Sequence, residues 1–336
     1  MPQRFLPRIN VDDFCTVNRR TLLRRLGSAV LLTTAGGLYR GGVWASPVFT
    51  TSPFTLGVAS GDPAPDGFVL WTKLAPRPSE PSGSIPRKAV EVSWAVASDE
   101  HLRQVVQQGT AMAHPALGHA VHVEVGGLAP GHDYFYRFTV GPERSPVGRT
   151  RTLPAVAAPV TQLRFAVAGC QRYEDGYFTA YQHLAAEHFD FVFHYGDYIY
   201  ENRRVRPGDR LLPVVRVMPG EPDEASTLDD YRQRYALYKT DPDLQAAHAA
   251  APFIMSYDDH EVDNNWAGDI ASAPTAPALF LLRRAAAFQV WYEHMPVRWG
   301  LRGCFENHAG LLAKRRTMSR IIASFRSVSL VCTVRS

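Results

Sequence analysis

Cysteine is scarce in this 336-residue chain: Cys15, Cys170, Cys304 and Cys332, with no CxxC pair. No disulfide framework can be read from that. Long apolar runs are missing too. The longest stretch near the start, through Ala29, Val30, Leu31, Leu32 and Ala35, is short and followed by Gly36-Gly37, so no stable membrane span is expected in the mature chain. A basic excess is lacking where it would matter. The formal charge is +4, yet residues 1–45 carry seven Arg against two Asp and residues 301–336 carry seven Lys or Arg against one Glu. The remainder holds 22 basic against 29 acidic side chains, a balance that suits cation binding and gives a nucleic-acid-binding role no support.

What is present begins with Asn18-Arg19-Arg20-Thr21-Leu22-Leu23-Arg24 ahead of the moderately apolar run, ending in Val43-Trp44-Ala45. This pattern resembles a twin-arginine signal peptide over residues 1–45, which implies the twin-arginine export machinery as a partner and a periplasmic or secreted location. Residues 47–155 then turn β-like. Gly67-Phe68-Val69-Leu70-Trp71-Thr72, Val90 to Val96 and Ala120 to Val125 read as half-buried strands separated by Gly, Pro and Asp clusters. Leu128, Pro130, Tyr134 and Tyr136 fit the Leu-x-Pro-x-x-x-Tyr-x-Tyr signature of a tyrosine corner, so an all-β Fn3/Ig-like sandwich domain is expected here. His101, His114, His119, His122 and His132 fall in this stretch with no ligand spacing and read as scattered surface or core residues. Pro154 to Pro159 reads as a linker.

The chemistry concentrates in residues 160–300. Leu163 to Cys170 is an apolar strand, Gly176 to His188 has helical spacing, and Asp190 to Tyr195 is a second strand; a βαβ unit makes the two strands parallel. Helical stretches at Leu228 to Tyr238 and Asp241 to Ala250 lead to a third strand, Phe253 to Tyr257. Their exits should deliver Cys170, Asp197, Asp258 and Asp259 to one crevice. Hard oxygen donors beside imidazole suit a catalytic metal, and Tyr200, three residues past Asp197, can fold back toward the same centre while Tyr198 points away. A phenolate with a thiolate favours Fe(III) over Mg(II).

Several ordered stretches, namely Arg164 to Gln171, Asp190 to Glu201, Leu228 to Leu244, Ser256 to Asn265 and Ala285 to Pro296, together resemble the alkaline phosphatase D (PhoD-type) family of calcineurin-like metallophosphoesterases. The resemblance implies an α/β metallophosphoesterase fold with mixed sheets and flanking helices behind the sandwich. It also implies hydrolysis of phosphate mono- or diesters. Carried over residue by residue, it implies Cys170 and Tyr200 as Fe(3+) ligands, Asp197 as the carboxylate bridging toward Ca(2+), Asp259 on the second metal position and His260 near the leaving-group oxygen. Asp258 and Asn264 are weaker ligand candidates. Arg172 is a candidate substrate contact that reads better as a solvated loop residue, and Glu201 to Pro222 reads as a mobile loop. Residues 301–336 show no continuation of the α/β pattern, so an aberrant basic tail on a truncated chain is expected. A catalytically inactive remnant and a non-enzymatic surface-binding protein using the sandwich are the alternatives.

Overall fold

The computed structural model describes residues 49–203 (Pro86 excepted), 216, 218, 223–298 and the backbone of 329–335. The export-signal reading of residues 1–45 lies outside the described residues, as does most of 301–336 and of the loop after Arg203.

Two antiparallel sheets form the first part. One contains β1 (Val58–Ala64), β2 (Gly67–Lys73) and β5 (Ala120–Val125). The other runs β4 (Val105–Ala113), β3 (Val90–Ala97), β6 (Asp133–Val140) and β7 (Glu143–Arg144), with β8 (Gly148–Arg151) also paired to β6. Phe68, Leu70, Val121 and Val123 from one sheet share a core with Val92, Val96, Tyr136 and Phe138 from the other. Strand β6 alternates strictly, burying Tyr134, Tyr136, Phe138 and Val140 while the residues between them are half-exposed, which is the period of a strand with one face inward. The tyrosine corner forms: the Tyr134 hydroxyl accepts the Ala129 N–H at 3.1 Å and donates to the Ala129 carbonyl at 3.4 Å.

Strand β2 departs from expectation, since all seven of its residues are buried rather than every second one. Its other face carries Trp71, which packs with Leu56, Ala59 and Ala236. The reason is topological. The β1–β2–β5 sheet continues into β11 (Phe253–Met255), because β1 pairs parallel to it at Gly61 opposite Phe253. Further along lie β10 (Phe191–His194) and β9 (Arg164–Gly169), giving a mixed sheet in which both faces of β2 are covered. The same sheet ends in β12 (Ser329–Arg335), parallel to β9. Regular structure therefore returns within a segment whose sequence shows none: Ser329 to Arg335 is a short apolar run that an isolated reading cannot assign.

Among the described residues four helices flank these strands: α1 (Thr179–Ala186), α2 (Leu228–Lys239), α3 (Pro242–Ala250) and α4 (Pro277–His294). Helix α2 starts at a capping box, in which Thr227 Oγ1 accepts the Asp230 N–H and the Asp230 carboxylate accepts the Thr227 N–H. Asp241 caps α3, with Pro242 as its first residue. Their inner faces join Val192, Phe253 and Met255 in a core rich in Tyr181, Tyr235, Phe288 and Trp291.

Candidate metal centre

Strands β9, β10 and β11 are mutually parallel, so their C-terminal ends open on one edge. There the chain leaves in sharp turns. Cys170 and Asp197 both take positive φ, 53° and 52°, and Gly196 takes 128°. Such backbone is costly for a residue with a Cβ and concentrates where geometry serves a function. Backbone bonds lace the exits together: Cys170 N–H to the Gly196 carbonyl at 3.1 Å, Gln171 N–H to the Asp197 carbonyl at 3.1 Å, and Ser256 N–H to the His194 carbonyl at 2.8 Å.

Asp197 sits at the centre and is almost fully buried. Its Oδ2 accepts from Cys170 Sγ at 3.3 Å and from the Tyr200 hydroxyl at 3.0 Å, whereas Oδ1 is buried with no hydrogen-bond partner. Asp197, Asp259 and His260 each bring a ligand atom within 4.8 Å of the others. Tyr198 turns away as its spacing predicts, its hydroxyl 2.8 Å from His248 Nε2. The electrostatics are those of a crowded anionic pocket. Burial, followed by the charges of Asp197 and Asp259, raises the Asp258 carboxyl above its ordinary range. Burial and then Asp197 push up both the Cys170 thiol and the Tyr200 phenol. Two protons thus crowd one carboxylate oxygen while its other oxygen goes unpaired, an arrangement a cation relieves by displacing the protons. The donor set fits a metal on that ground.

The supporting side chains are carboxylates that sequence reasoning passed over. Glu261, fully buried, accepts backbone N–H bonds from Asp197 at 3.2 Å, Tyr198 at 2.6 Å and Asp258 at 2.7 Å, tying the two loops together. Burial, then Asp197, moves its pKa up to about 8 against the opposing pull of those three bonds. Glu201 is also buried, which corrects its reading as the start of a solvated loop. Arg216 in the same loop is buried as well and pairs with Asp241 at 2.6 Å.

The sequence profile of the PhoD-like phosphatase N-terminal domain matches residues 42–154, and that of the PhoD-like phosphatase itself matches residues 165–325. The chain belongs to the PhoD-like phosphatase family. It is similar to alkaline phosphatase D of Bacillus subtilis (strain 168), with 50% identity over 287 residues that cover 84% of this chain and 48% of that protein. It also superposes on the solved structure of PhoD with a TM-score of 0.71 and 52% identity, covering 76% of this chain and 48% of that one. The chain spans about half the length of these relatives. The PhoD-like match runs on to residue 325, past Pro296 and into the segment 301–336 that shows no α/β pattern.

Of the residues that the PhoD-like resemblance singles out, Cys170, Asp197 and Tyr200 form one group, and Asp259 and His260 join it through Asp197. The Asp258 carboxyl lies within the influence of Asp197 and Asp259. Asn264 contributes its backbone N–H to Glu201 Oε1 at 3.1 Å, and no side-chain bond ties it to the acidic group among the described residues. Arg172 is no solvated residue: its guanidinium lies 4.0 Å from the Tyr200 ring centroid and donates to the Asn202 carbonyl and Oδ1, each at 3.2 Å. Two of the N-terminal histidines are engaged elsewhere, His122 Nε2 with the Met295 carbonyl at 2.9 Å and His119 Nε2 with the Lys88 carbonyl at 3.1 Å.

Proposed function

We propose that the chain is an exported, metal-dependent hydrolase of phosphate esters, of the alkaline phosphatase and phosphodiesterase type. The observation that carries this reading is the Asp197 carboxylate, with Cys170 and Tyr200 on one oxygen, the other oxygen buried and unpaired, and Asp259 and His260 within ligand distance. Cys170, Tyr200 and Asp197 would hold Fe(3+), and Asp259, with Asp258 beside it, would face Ca(2+); thiolate and phenolate suit the first and hard carboxylates the second. When bound, such metals supply Lewis-acid polarisation of the phosphoryl group and an activated water. The protein's own residues do the rest. Asp197 sets the spacing of the donors, Glu261 locks the Asp197 and Asp258 backbones, and His260 gives a proton to the departing alkoxide. Arg172 buttresses the Tyr200 ring, and its contact with a phosphate would require release from Asn202.

Support for an Fn3/Ig-like reading of the N-terminal domain comes from its facing antiparallel β1–β2–β5 and β4–β3–β6 layers and its tyrosine corner. Among the described residues no helix is long and apolar enough to cross a membrane, and export by the twin-arginine route rests on the Arg19-Arg20 pattern.

The test is metal analysis of the intact chain together with turnover of a chromogenic phosphate ester. Stoichiometric iron and calcium, with activity abolished by chelation and by Asp197→Ala, are expected. Turnover indifferent to both would refute the reading.

A further inference from the structure

The sheet that holds β6 ends in two unlike edges. At one end β7 is only two residues long, Glu143 and Arg144, both charged, and β8 carries Arg149 and Arg151. Short strands and charged side chains are the usual protection of a sheet edge. At the other end β4 has neither. Its nine residues, Val105 to Ala113, contain no charged side chain and no proline. A bulge against β3 near Val106 irregularises its first end, and from Gln107 to Ala113 the pairing is regular. Among the described residues β4 pairs with β3 alone, and no backbone bond leaves its outer edge. Alternate residues of β4 thus turn their N–H and C=O groups away from β3 toward no protein partner. The end of β5 meets β4 through a side chain, Gln107 Nε2 donating to the Gly126 carbonyl at 2.7 Å. Val106, Gln108, Thr110 and Met112 line the exposed face, Val106 46% and Met112 45% exposed.

We propose that β4 is a dimerisation edge, pairing antiparallel with β4 of a second copy of this chain about a two-fold axis at Gly109. Nothing in it depends on the phosphate-ester reading. A two-fold antiparallel pair matches each residue with the one equally far beyond the axis, and Gly109 is the midpoint of the strand, so its whole length is used. On the exposed face Val106 then meets the second copy's Met112, and Gln108 meets its Thr110, each twice. Apolar falls on apolar, amide falls on hydroxyl, and no charge is opposed. On the other face the axis passes a residue with no side chain; a Cβ added to Gly109 would lie 2.9 Å from Trp94 Cζ2, so the Trp94 ring fills that space. Moving the axis to Thr110 would set Gln108 against Met112, and the matching is lost. Two five-stranded sheets become one continuous sheet. A single strand pair is a small interface, so the dimer is weak and depends on concentration.

Sedimentation velocity of the full chain under reducing conditions, which keep its cysteines out of the result, provides the test. The mass should rise from that of one chain to that of two across the micromolar range, up to about 100 μM. Gln108→Lys with Thr110→Lys sets like charges opposite one another twice and should weaken dimerisation roughly 10-fold or more. Gln108→Glu with Thr110→Lys sets opposite charges at the same places and should bring it back to within about threefold of the parent. Hydrogen exchange of the unaltered chain is a second readout: protection of the β4 amides should rise with concentration while that of β7 stays constant. A parent that remains monomeric throughout the range overturns the proposal. So does a dimer that the like-charged variant leaves intact, equal weakening by both variants, or β4 protection that does not change with concentration.

Discussion

Gly196→Ala puts the site geometry to a direct test. At φ 128° the backbone is in a region that essentially only glycine occupies, and forcing alanine there costs about 1–3 kcal/mol. The new Cβ would lie 2.5 Å from Asp258 N, 2.6 Å from Asp258 Cβ and 2.8 Å from the Tyr257 carbonyl carbon. Two of these are backbone atoms with no side-chain freedom to yield, so the β11 exit must shift. That strains the Asp258 N–H bond to Glu261 and the Ser256 N–H bond to the His194 carbonyl, each worth about 1 kcal/mol net. Against this, alanine gains only about 0.4–1 kcal/mol from a less flexible unfolded chain. The steric and conformational costs win, for a net loss of about 2–4 kcal/mol. Urea unfolding followed by tryptophan fluorescence measures it. Because Asp258 and Asp259 would move relative to Asp197, metal affinity should fall about 10- to 100-fold in the same variant. Gly126→Ala is the control, since its added Cβ meets nothing within 4 Å and its φ lies outside the positive range that side chains avoid. A Gly196→Ala protein with the parental midpoint and metal content would refute the reasoning.

Other perturbations have equally definite outcomes. Lys239 is buried over Trp71, its Nζ 4.3 Å from the ring centroid, and burial lowers its pKa to about 7. The unfolded chain therefore binds an extra proton between about pH 7 and 10.5, and stability should rise with pH through that window. Lys239→Met should stabilise by on the order of 3–5 kcal/mol at and below neutrality and progressively less toward pH 10; urea midpoints that shift equally at all pH values would contradict this. Tyr134→Phe leaves the Ala129 N–H without its acceptor and should cost about 1–2 kcal/mol in the same assay, so an unchanged midpoint would remove the tyrosine corner from the stability argument. Loading iron should release protons, because the Cys170 thiol and Tyr200 phenol are both pushed up in the metal-free protein; apparent affinity should therefore climb with pH from about 6 to 8, and a pH-independent affinity would exclude these two as ligands.

The strand exits were legible in the sequence because a buried parallel strand shows as an apolar run, and a site shows in the polar residues just past its end. Phe191-Val192-Phe193 running into Gly196 and Asp197, and Phe253-Ile254-Met255 running into Asp258, sufficed to bring the acidic group together. The three-residue step from Asp197 to Tyr200, with Tyr198 turned inward, came from the same local geometry. Glu201 and Glu261 lie in those very stretches and were not legible as site residues. Their partners are an imidazole and backbone N–H groups, most of them some 60 positions away along the chain, which no spacing rule reports. One signal was present and misread. Phe68-Val69-Leu70-Trp71 lacks alternation, and a run buried on both faces is what a strand inside a covered mixed sheet requires.

That double burial of β2 bears on how the site is held. β11 is only three residues long and carries Asp258 to Glu261 at its exit; one neighbour is β10, the other is β1 from the N-terminal half. The approach of β1 is close enough that a Cβ on Gly61 would meet the Pro296 carbonyl oxygen at 2.3 Å and that of Phe253 at 2.6 Å. Trp71 Nε1 donates to the Glu293 carbonyl at 3.0 Å, and His122 stacks on Tyr292 with ring centroids 4.4 Å apart, so α4 is fastened from the same side. Lys73 and Arg232 meet on the buried Glu293 carboxylate, at 3.4 and 2.7 Å. A three-residue strand has too few ladder bonds to hold a register alone. The position of the Asp258–Glu261 loop is therefore set as much by β1 and β2 as by the strands that lead to Cys170 and Asp197, and the N-terminal domain acts on the site through the sheet it shares with it.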